Sequence, residues 1–280
     1  MNYLCGQKNK TMLTFLEKGH KYDSGDNTEW ISVTTATKIA SKPFDADKTA
    51  LKNSKDKKSK WYGMTPEEIK QHWKNISDTA CELGNWYHKQ QEDLLCSVES
   101  IEREGVSCSV SLPIIKEDIK YAPDQVLVNN TIYPEHFVYL KSAGICGQSD
   151  FVEVVNNCVN IADYKTNSDL STSGYVGWDG KPKMCLAPVS HLEDCKLTIY
   201  NLQLSMYMYI ILKHNPLLNP GTLTIKHIVF EELDRDRLGT RSYVLDSNNN
   251  PVIKEIVEYK VPYLKKEVMD IIDYINSTRF

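Results

Sequence analysis

The sequence predicts an α/β or α+β domain in which helices flank a central mixed β-sheet. Three observations carry this. Leu83, Trp86, Tyr87, Gln90 and Leu94 recur at helical spacing, the stretch from Thr131 to Thr166 changes to strand-like runs, and a helical and then a strand period return after Thr198. The resulting order is helix, three strands, helix, strand, helix, and these elements bury their apolar faces by layering helices on a sheet.

The segment Asp45 to Lys60 (DADKTALKNSKDKKSK) holds six lysines against three aspartates. It reads as a solvated helix or mobile loop, or as a basic arm that touches phosphates. Thr65-Pro66-Glu67-Glu68 supplies an N-cap hydroxyl, a proline at the first helical position and acids in the first turn. A helix is therefore predicted from about Thr65 to Leu95, with a break near Ser77-Asp78 where a second helix is capped. TIYPEHFVYL, CGQSDFVEVV and CVNIADYKT read as successive strands. A helix fits Thr198 to Lys213, closed by Asn215-Pro216; the strand TLTIKHIVFEEL and a last helix from about Pro262 to Ile275 complete the chain.

A chain of 280 residues buries a substantial core, and no internal repeat or convincing linker divides it, so a single domain over 1–280 is expected. The longest apolar stretch, Leu204 to Leu212, is too short to span a bilayer and is interrupted by tyrosines and a serine. The N-terminal MNYLCGQKNKTM has neither the apolar run of a secretory leader nor the arginine-rich character of a transit peptide. The expected location is the cytoplasm, with no membrane partner. Eight cysteines occur and none forms a CxxC pair, which argues against zinc ribbons and CxxC redox sites; free, mostly buried thiols are expected. With a net charge of −4, any basic surface that meets nucleic acid must be local.

The most informative passage is GQSDFVEVVNNCVNIADYKT, Gly147 to Thr166. Asn156-Asn157 is a good two-residue hairpin turn, because asparagine tolerates positive φ. That turn sets Val155 opposite Cys158, Val154 opposite Val159, Val152 opposite Ile161 and Asp150 opposite Asp163. The face shared with Val152, Val154, Val159 and Ile161 is the one expected to be buried, and Lys165 points the same way. Two carboxylates directly across a ladder repel each other and lose solvation at an apolar edge. A divalent cation removes both costs, and oxygen ligands suit Mg²⁺ or Mn²⁺. The bland alternative is an ordinary hairpin with solvated aspartates and Lys165 as their salt-bridge partner.

Asp150 followed by Asp163-Tyr164-Lys165 at the end of a hairpin resembles the core of the PD-(D/E)xK nucleases. Upstream, Gly84-Asn85-Trp86-Tyr87-His88, continued to Glu92, resembles the GxxxHxxxE helix motif of their RecB-like branch. Downstream, Gln203-Leu204-Ser205-Met206-Tyr207 resembles its QxxxY motif, and Ile31-Ser32-Val33-Thr34-Thr35 is similar to an SVT segment near the start of that group. Order and spacing resemble those of mitochondrial genome maintenance exonucleases and related phage exonucleases, over about residues 30 to 230.

The resemblance implies a restriction-endonuclease-like core at about 130–232, a helical part at about 30–100 and a C-terminal helix at about 262–275. It implies a Mg²⁺-dependent deoxyribonuclease, Mn²⁺ substituting, which acts as an exonuclease on DNA ends or single strands and leaves 5′-phosphates. Asp150, Asp163, Lys165 and His88 are then catalytic, and His88, Asp150, Asp163 and the Tyr164 carbonyl are the metal ligands. Gln203 and Tyr207, one helical turn apart, hold DNA or orient the site, or else form a buried polar pair. Ser32, Thr34 and Thr35 contact the DNA backbone, or cap a helix. Trp61, Trp73 and Trp86 stack on unpaired bases, or pack in the core.

No cysteine follows Cys195, so no iron–sulfur cluster of the kind some RecB-like nucleases carry is expected. No GxxxxGK[ST] motif is present, so an unwinding or recombination partner would be a separate protein; a phage origin would put the protein in the host cytoplasm. Two alternatives stay open: a structure-specific endonuclease of the same fold, and a catalytically silent DNA-binding subunit. One energetic expectation follows from the hairpin itself: removing a carboxylate stabilises the metal-free fold.

Overall fold

The computed structural model describes residues 12–16, 19 and 21–279. The N-terminal segment on which the leader reading rests, Cys5 included, lies outside the described residues. The predicted hairpin forms the centre of the molecule. Its strands are β9 (Ile145–Val155) and β10 (Cys158–Lys165), and both turn asparagines, Asn156 and Asn157, take positive φ (52° and 60°). The register is the one expected: Val155 faces Cys158, Val154 faces Val159 and Val152 faces Ile161.

Around this hairpin the chain adds strands on both sides. In chain order the earlier ones are β1 (Thr14–Leu16), β2 (Lys21–Asp23), β3 (Ile31–Ser32), β4 (Ser100–Arg103), β5 (Val106–Val110), β6 (Ile114–Lys116), β7 (Ile119–Tyr121) and β8 (Thr131–Leu140). The later ones are β11 (Asn219–Phe230), β12 (Glu232–Arg235), β13 (Arg241–Tyr243) and β14 (Ile253–Val261). The main sheet has the order β14-β11-β10-β9-β8-β5-β4, with β3 added alongside β9. It is mixed: β10 runs parallel to β11, β5 to β8 and β3 to β9, and the other neighbours are antiparallel. A second sheet, β2-β1-β7-β6, leans on β8 through Phe15 and Phe137.

The helices are α1 (Val33–Lys38), α2 (Ala46–Lys55), α3 (Pro66–Cys96), α4 (Lys196–His214) and α5 (Lys265–Thr278). α4 makes the crossover from β10 to β11, the connection a parallel pair requires. Ten of its residues are buried, so it is apolar nearly all round rather than on one stripe. Leu202, Met206 and Ile210 pack with Val152, Ile161 and Ile225 of the sheet, Val33 of α1 and Ile271 of α5 in one cluster.

The hairpin is covered on both faces, which corrects the expectation of a single buried face. Phe151, Val155 and Ala162 point away from α4 yet are at most 8 % exposed, and Leu95 of α3 packs against them. α3 is a single helix of 31 residues, opened by the predicted capping box of Thr65 and Glu68. The break expected at Ser77-Asp78 is absent. Both residues are exposed, and Asp78 binds Lys74 one turn back at 2.5 Å instead of capping a new helix. The lysine-rich segment forms α2, capped by Asp45 and packed on α3, with Ala50, Trp61 and Ile69 buried together. The seven described cysteines are free thiols, four of them buried. Among the described residues, no helix is long and apolar enough to cross a membrane.

Candidate metal centre

The ladder between β9 and β10 is paired down to Phe151 and Ala162. One step further it opens, because Asp150 Oδ2 accepts the Tyr164 N–H at 2.7 Å in place of a backbone partner. On the other side of β9, the pairs Pro134–Phe151 and His136–Ser149 bracket Glu135 opposite Asp150. Glu135 stands at φ +47°, a left-handed conformation that costs a non-glycine residue roughly 1–2 kcal/mol. Three acidic residues, Glu135, Asp150 and Asp163, thus stand at one level on three adjacent strands.

α3 brings the imidazole. Gly84 faces the end of β10, where a Cβ would meet Thr166 Oγ1 at 3.1 Å, so a glycine lets helix and strand approach. One turn on, His88 donates from Nε2 to the Tyr164 carbonyl at 3.1 Å and sets Nδ1 3.5 Å from Asp150 Oδ1. Ligand atoms of His88, Glu135 and Asp150 all lie within 4.8 Å of one another. Two ligands of one Mg²⁺ lie at most about 4.2 Å apart, given bond lengths of ~2.1 Å, so small side-chain rotations bring this set onto a cation. Two half-buried carboxylates that repel each other, with a neutral imidazole beside them, fit a divalent ion.

Asp163 is 2 % exposed, and its Oδ2 forms an ion pair with the Lys165 ammonium. Lys165 also lies over the Tyr200 ring at 4.8 Å. A cleft of about 860 Å³ opens here, with His88, Glu92, Glu135, Gln148, Lys165 and Tyr200 among its walls. Glu92, the last residue of the helix motif, is held by Lys89 at 3.1 Å.

The charges are strongly coupled. Burial alone lowers the His88 imidazole, but Asp150 first, then Asp163 and Glu135, outweigh it and bring it up to about 9. Burial, reinforced by Asp150, pushes Glu135 up to about 8 and Asp163 up to about 6, with Lys120 and Lys165 respectively opposing. Burial also raises Asp150, yet His88, Lys165 and the Tyr164 N–H hold it below the usual carboxylate range. Burial lowers Lys165, and the carboxylates of Asp163 and Asp150 return it above its ordinary value.

A pH dependence of stability follows. Glu135, Asp163 and His88 all have folded pKa values above their ordinary ones, so the folded chain binds more protons than the unfolded one and loses stability as pH rises. The loss spans about 4 to 6 for Asp163, 4.5 to 8 for Glu135 and 6.5 to 9 for His88. Asp150 acts in the opposite sense, but only below its ordinary value. Thermal melts in EDTA between pH 5 and 9 are expected to fall steadily, and the gain on adding a divalent cation is expected to grow with pH, since a cation replaces these protons. A flat profile in EDTA contradicts the coupling.

The remaining predicted residues lie elsewhere. Gln203 and Tyr207 are buried in α4 with Nε2 donating to Oη at 3.4 Å, and Tyr207 packs where a Cβ on Gly147 would meet its ring at 3.1 Å. Ser32 caps α1, accepting the Thr35 N–H at 3.0 Å, and Thr34 and Thr35 are exposed. None of these five lines the cleft. Trp61 packs edge-on against Trp73, and Trp86 packs at a tilt against Phe230. Sequence reasoning missed Glu135, although an acid amid the apolar strand TIYPEHFVYL was a usable signal. It also missed Gln148, whose Nε2 is buried without a hydrogen-bond partner two residues before Asp150.

The chain was compared with protein-family models, with curated proteins and with solved structures, and nothing matches it in any of the three.

Proposed function

We propose that this chain is a metal-dependent nuclease that hydrolyses DNA phosphodiesters at ends or in single strands and leaves 5′-phosphate products. One observation carries the reading: His88, Glu135 and Asp150 converge within 4.8 Å beside a half-buried Lys165, at a cleft of about 860 Å³ that His88, Glu135 and Lys165 line. The ordered motif resemblance over about residues 30 to 230 points the same way, and a restriction-endonuclease-like core is part of the same proposal.

His88, Glu135 and Asp150 would hold Mg²⁺, or Mn²⁺ in its place, with the Tyr164 carbonyl and Asp163 adjoining. When bound, the ion lowers the pKa of a coordinated water and neutralises charge developing on the scissile phosphate. The Tyr164 N–H fixes the Asp150 carboxylate, so that this ligand keeps its orientation before any cation arrives. Lys165 stays protonated at neutral pH, because its pKa is raised, and therefore acts as a cation and hydrogen-bond donor to the phosphate rather than as a base. Asp163 and the Tyr200 ring hold that ammonium in place. Gln148 offers a further donor to a bound phosphate from the same strand face as Asp150.

Lys165→Met is expected to lower kcat by about 10²–10³-fold with little change in KM, a typical loss for one group that stabilises transition-state charge. A variant with full activity removes Lys165 from this role. The reading as a whole is tested by incubating end-labelled single- and double-stranded DNA, and closed circles, with Mg²⁺, Mn²⁺ or EDTA. Cleavage of linear DNA alone, abolished by EDTA, is the expected result. Cut circles turn the reading to an endonuclease, and binding without cleavage turns it to a silent DNA-binding subunit.

A further inference from the structure

Beside the metal cleft lies a second cavity of about 340 Å³, within the size range of ligand sites. Thr166 and Asn167 line both, so the two adjoin past the end of β10. The far side of the second cavity is basic and aromatic. Glu232 accepts both forks of Arg235, at 2.7 and 2.8 Å, and reaches Arg241 at 3.4 Å, which orients two guanidiniums with one carboxylate. Lys254 lines the cavity and has no ion-pair partner among the described residues, and Thr166 and Ser168 line it too. Glu231 and Glu232 leave an excess of one cation among the charged groups of the lining. Tyr243 provides a ring against which a base can stack.

We propose that this cavity is a second nucleotide subsite, which takes the phosphate of the nucleotide next to the scissile one on Arg241 and Lys254 and its base on Tyr243. The proposal rests on the nuclease reading and names where its substrate strand runs. The physical reason is reach: from Lys165 to Ser168 is three residues, at most about 10 Å, so a strand whose scissile phosphate sits at Lys165 passes directly over the shared wall. Hydroxyls along that wall and cations beyond it are the groups that bind a phosphodiester backbone.

Two substrates separate the sites. The p-nitrophenyl ester of thymidine 5′-monophosphate reports the metal centre alone, and a single-stranded oligothymidylate fills both. Lys254→Gln, at an exposed position without an ion pair, and Arg241→Gln are each expected to raise KM for the oligonucleotide about five- to tenfold. Each should also weaken its salt dependence by about one phosphate contact. Turnover of the ester by both variants should stay within twofold of wild type. An active enzyme with unchanged oligonucleotide KM and salt dependence in both variants overturns the subsite. Equal losses on both substrates overturn it too, since the side chains then serve only the hairpin they sit on. A wild-type protein that turns over neither substrate removes the nuclease reading itself.

Discussion

Asp150→Asn is expected to abolish metal-dependent cleavage, by at least about 10³-fold, while the protein still folds. Asp150 is the one residue that touches every part of the centre. It lies opposite Glu135 on β8 and just past the last β9–β10 pair on the Asp163 side, sits 3.5 Å from His88 and accepts the Tyr164 N–H at 2.7 Å. Loss of its charge removes the strongest anchor for a cation, and several kcal/mol of charge stabilisation correspond to three or more decades in rate. Asparagine can still accept from Tyr164, so the strand junction survives. Alanine cannot, and it leaves a buried N–H unpaired at about 1–3 kcal/mol. The check is cleavage of labelled DNA together with a thermal melt and Mn²⁺ binding; an Asp150→Asn protein that cleaves at the wild-type rate refutes the centre.

Glu135→Gln is expected to do two opposite things: stabilise the metal-free protein and weaken the metal. The repulsion between neighbouring acids leads to the sequence-based expectation that removing a carboxylate stabilises the metal-free fold, and the structure assigns that effect to Glu135. Removing Asp163 instead strands the largely enclosed ammonium of Lys165, at up to about 3–5 kcal/mol, and removing Asp150 strands His88. Glu135 makes no ion pair as close as either of these among the described residues; Lys120 and His88 act on it only at longer range. It is pushed up to about 8 by burial and by Asp150. Above that pH its charge is a net burden, so the amide should gain on the order of 2 kcal/mol in EDTA at pH 8.5, or roughly 5 °C in melting temperature. Affinity for Mn²⁺ should fall at least tenfold, about 1.4 kcal/mol, and cleavage with it. An unchanged Mn²⁺ affinity would leave Asp163 rather than Glu135 as the third ligand.

Much of the centre was legible because its signals are local. Asn156-Asn157 sets the hairpin register from two turn residues, and Thr65-Pro66-Glu67-Glu68 starts α3 where its cap chemistry says it must. Glu135 was not legible in the same way. β8 joins β9 through a short 3₁₀ turn, Lys141–Ala143, ended by Gly144 in the left-handed region, with no two-residue asparagine signal to fix the pairing. Which residue of β8 faces Asp150 is therefore set by packing. The small strands β1, β2, β6 and β7 were missed for a related reason: at three residues each they are too short to show a period, and they form only by pairing with one another.

By itself the sequence determined the carboxylate hairpin, its register, the helix that carries His88 and the crossover helix behind it, because turn chemistry, caps and periodicity act over a few residues. Only the tertiary structure decided which groups meet. Packing of α3 on the outer face of the sheet brings His88 to Asp150, and the β8–β9 register delivers Glu135 to that pair. The ion pair with Lys165 holds Asp163 at the side. The contacts of His88 and Glu135 join residues 15 to 76 positions apart, and no local preference fixes distances of that kind.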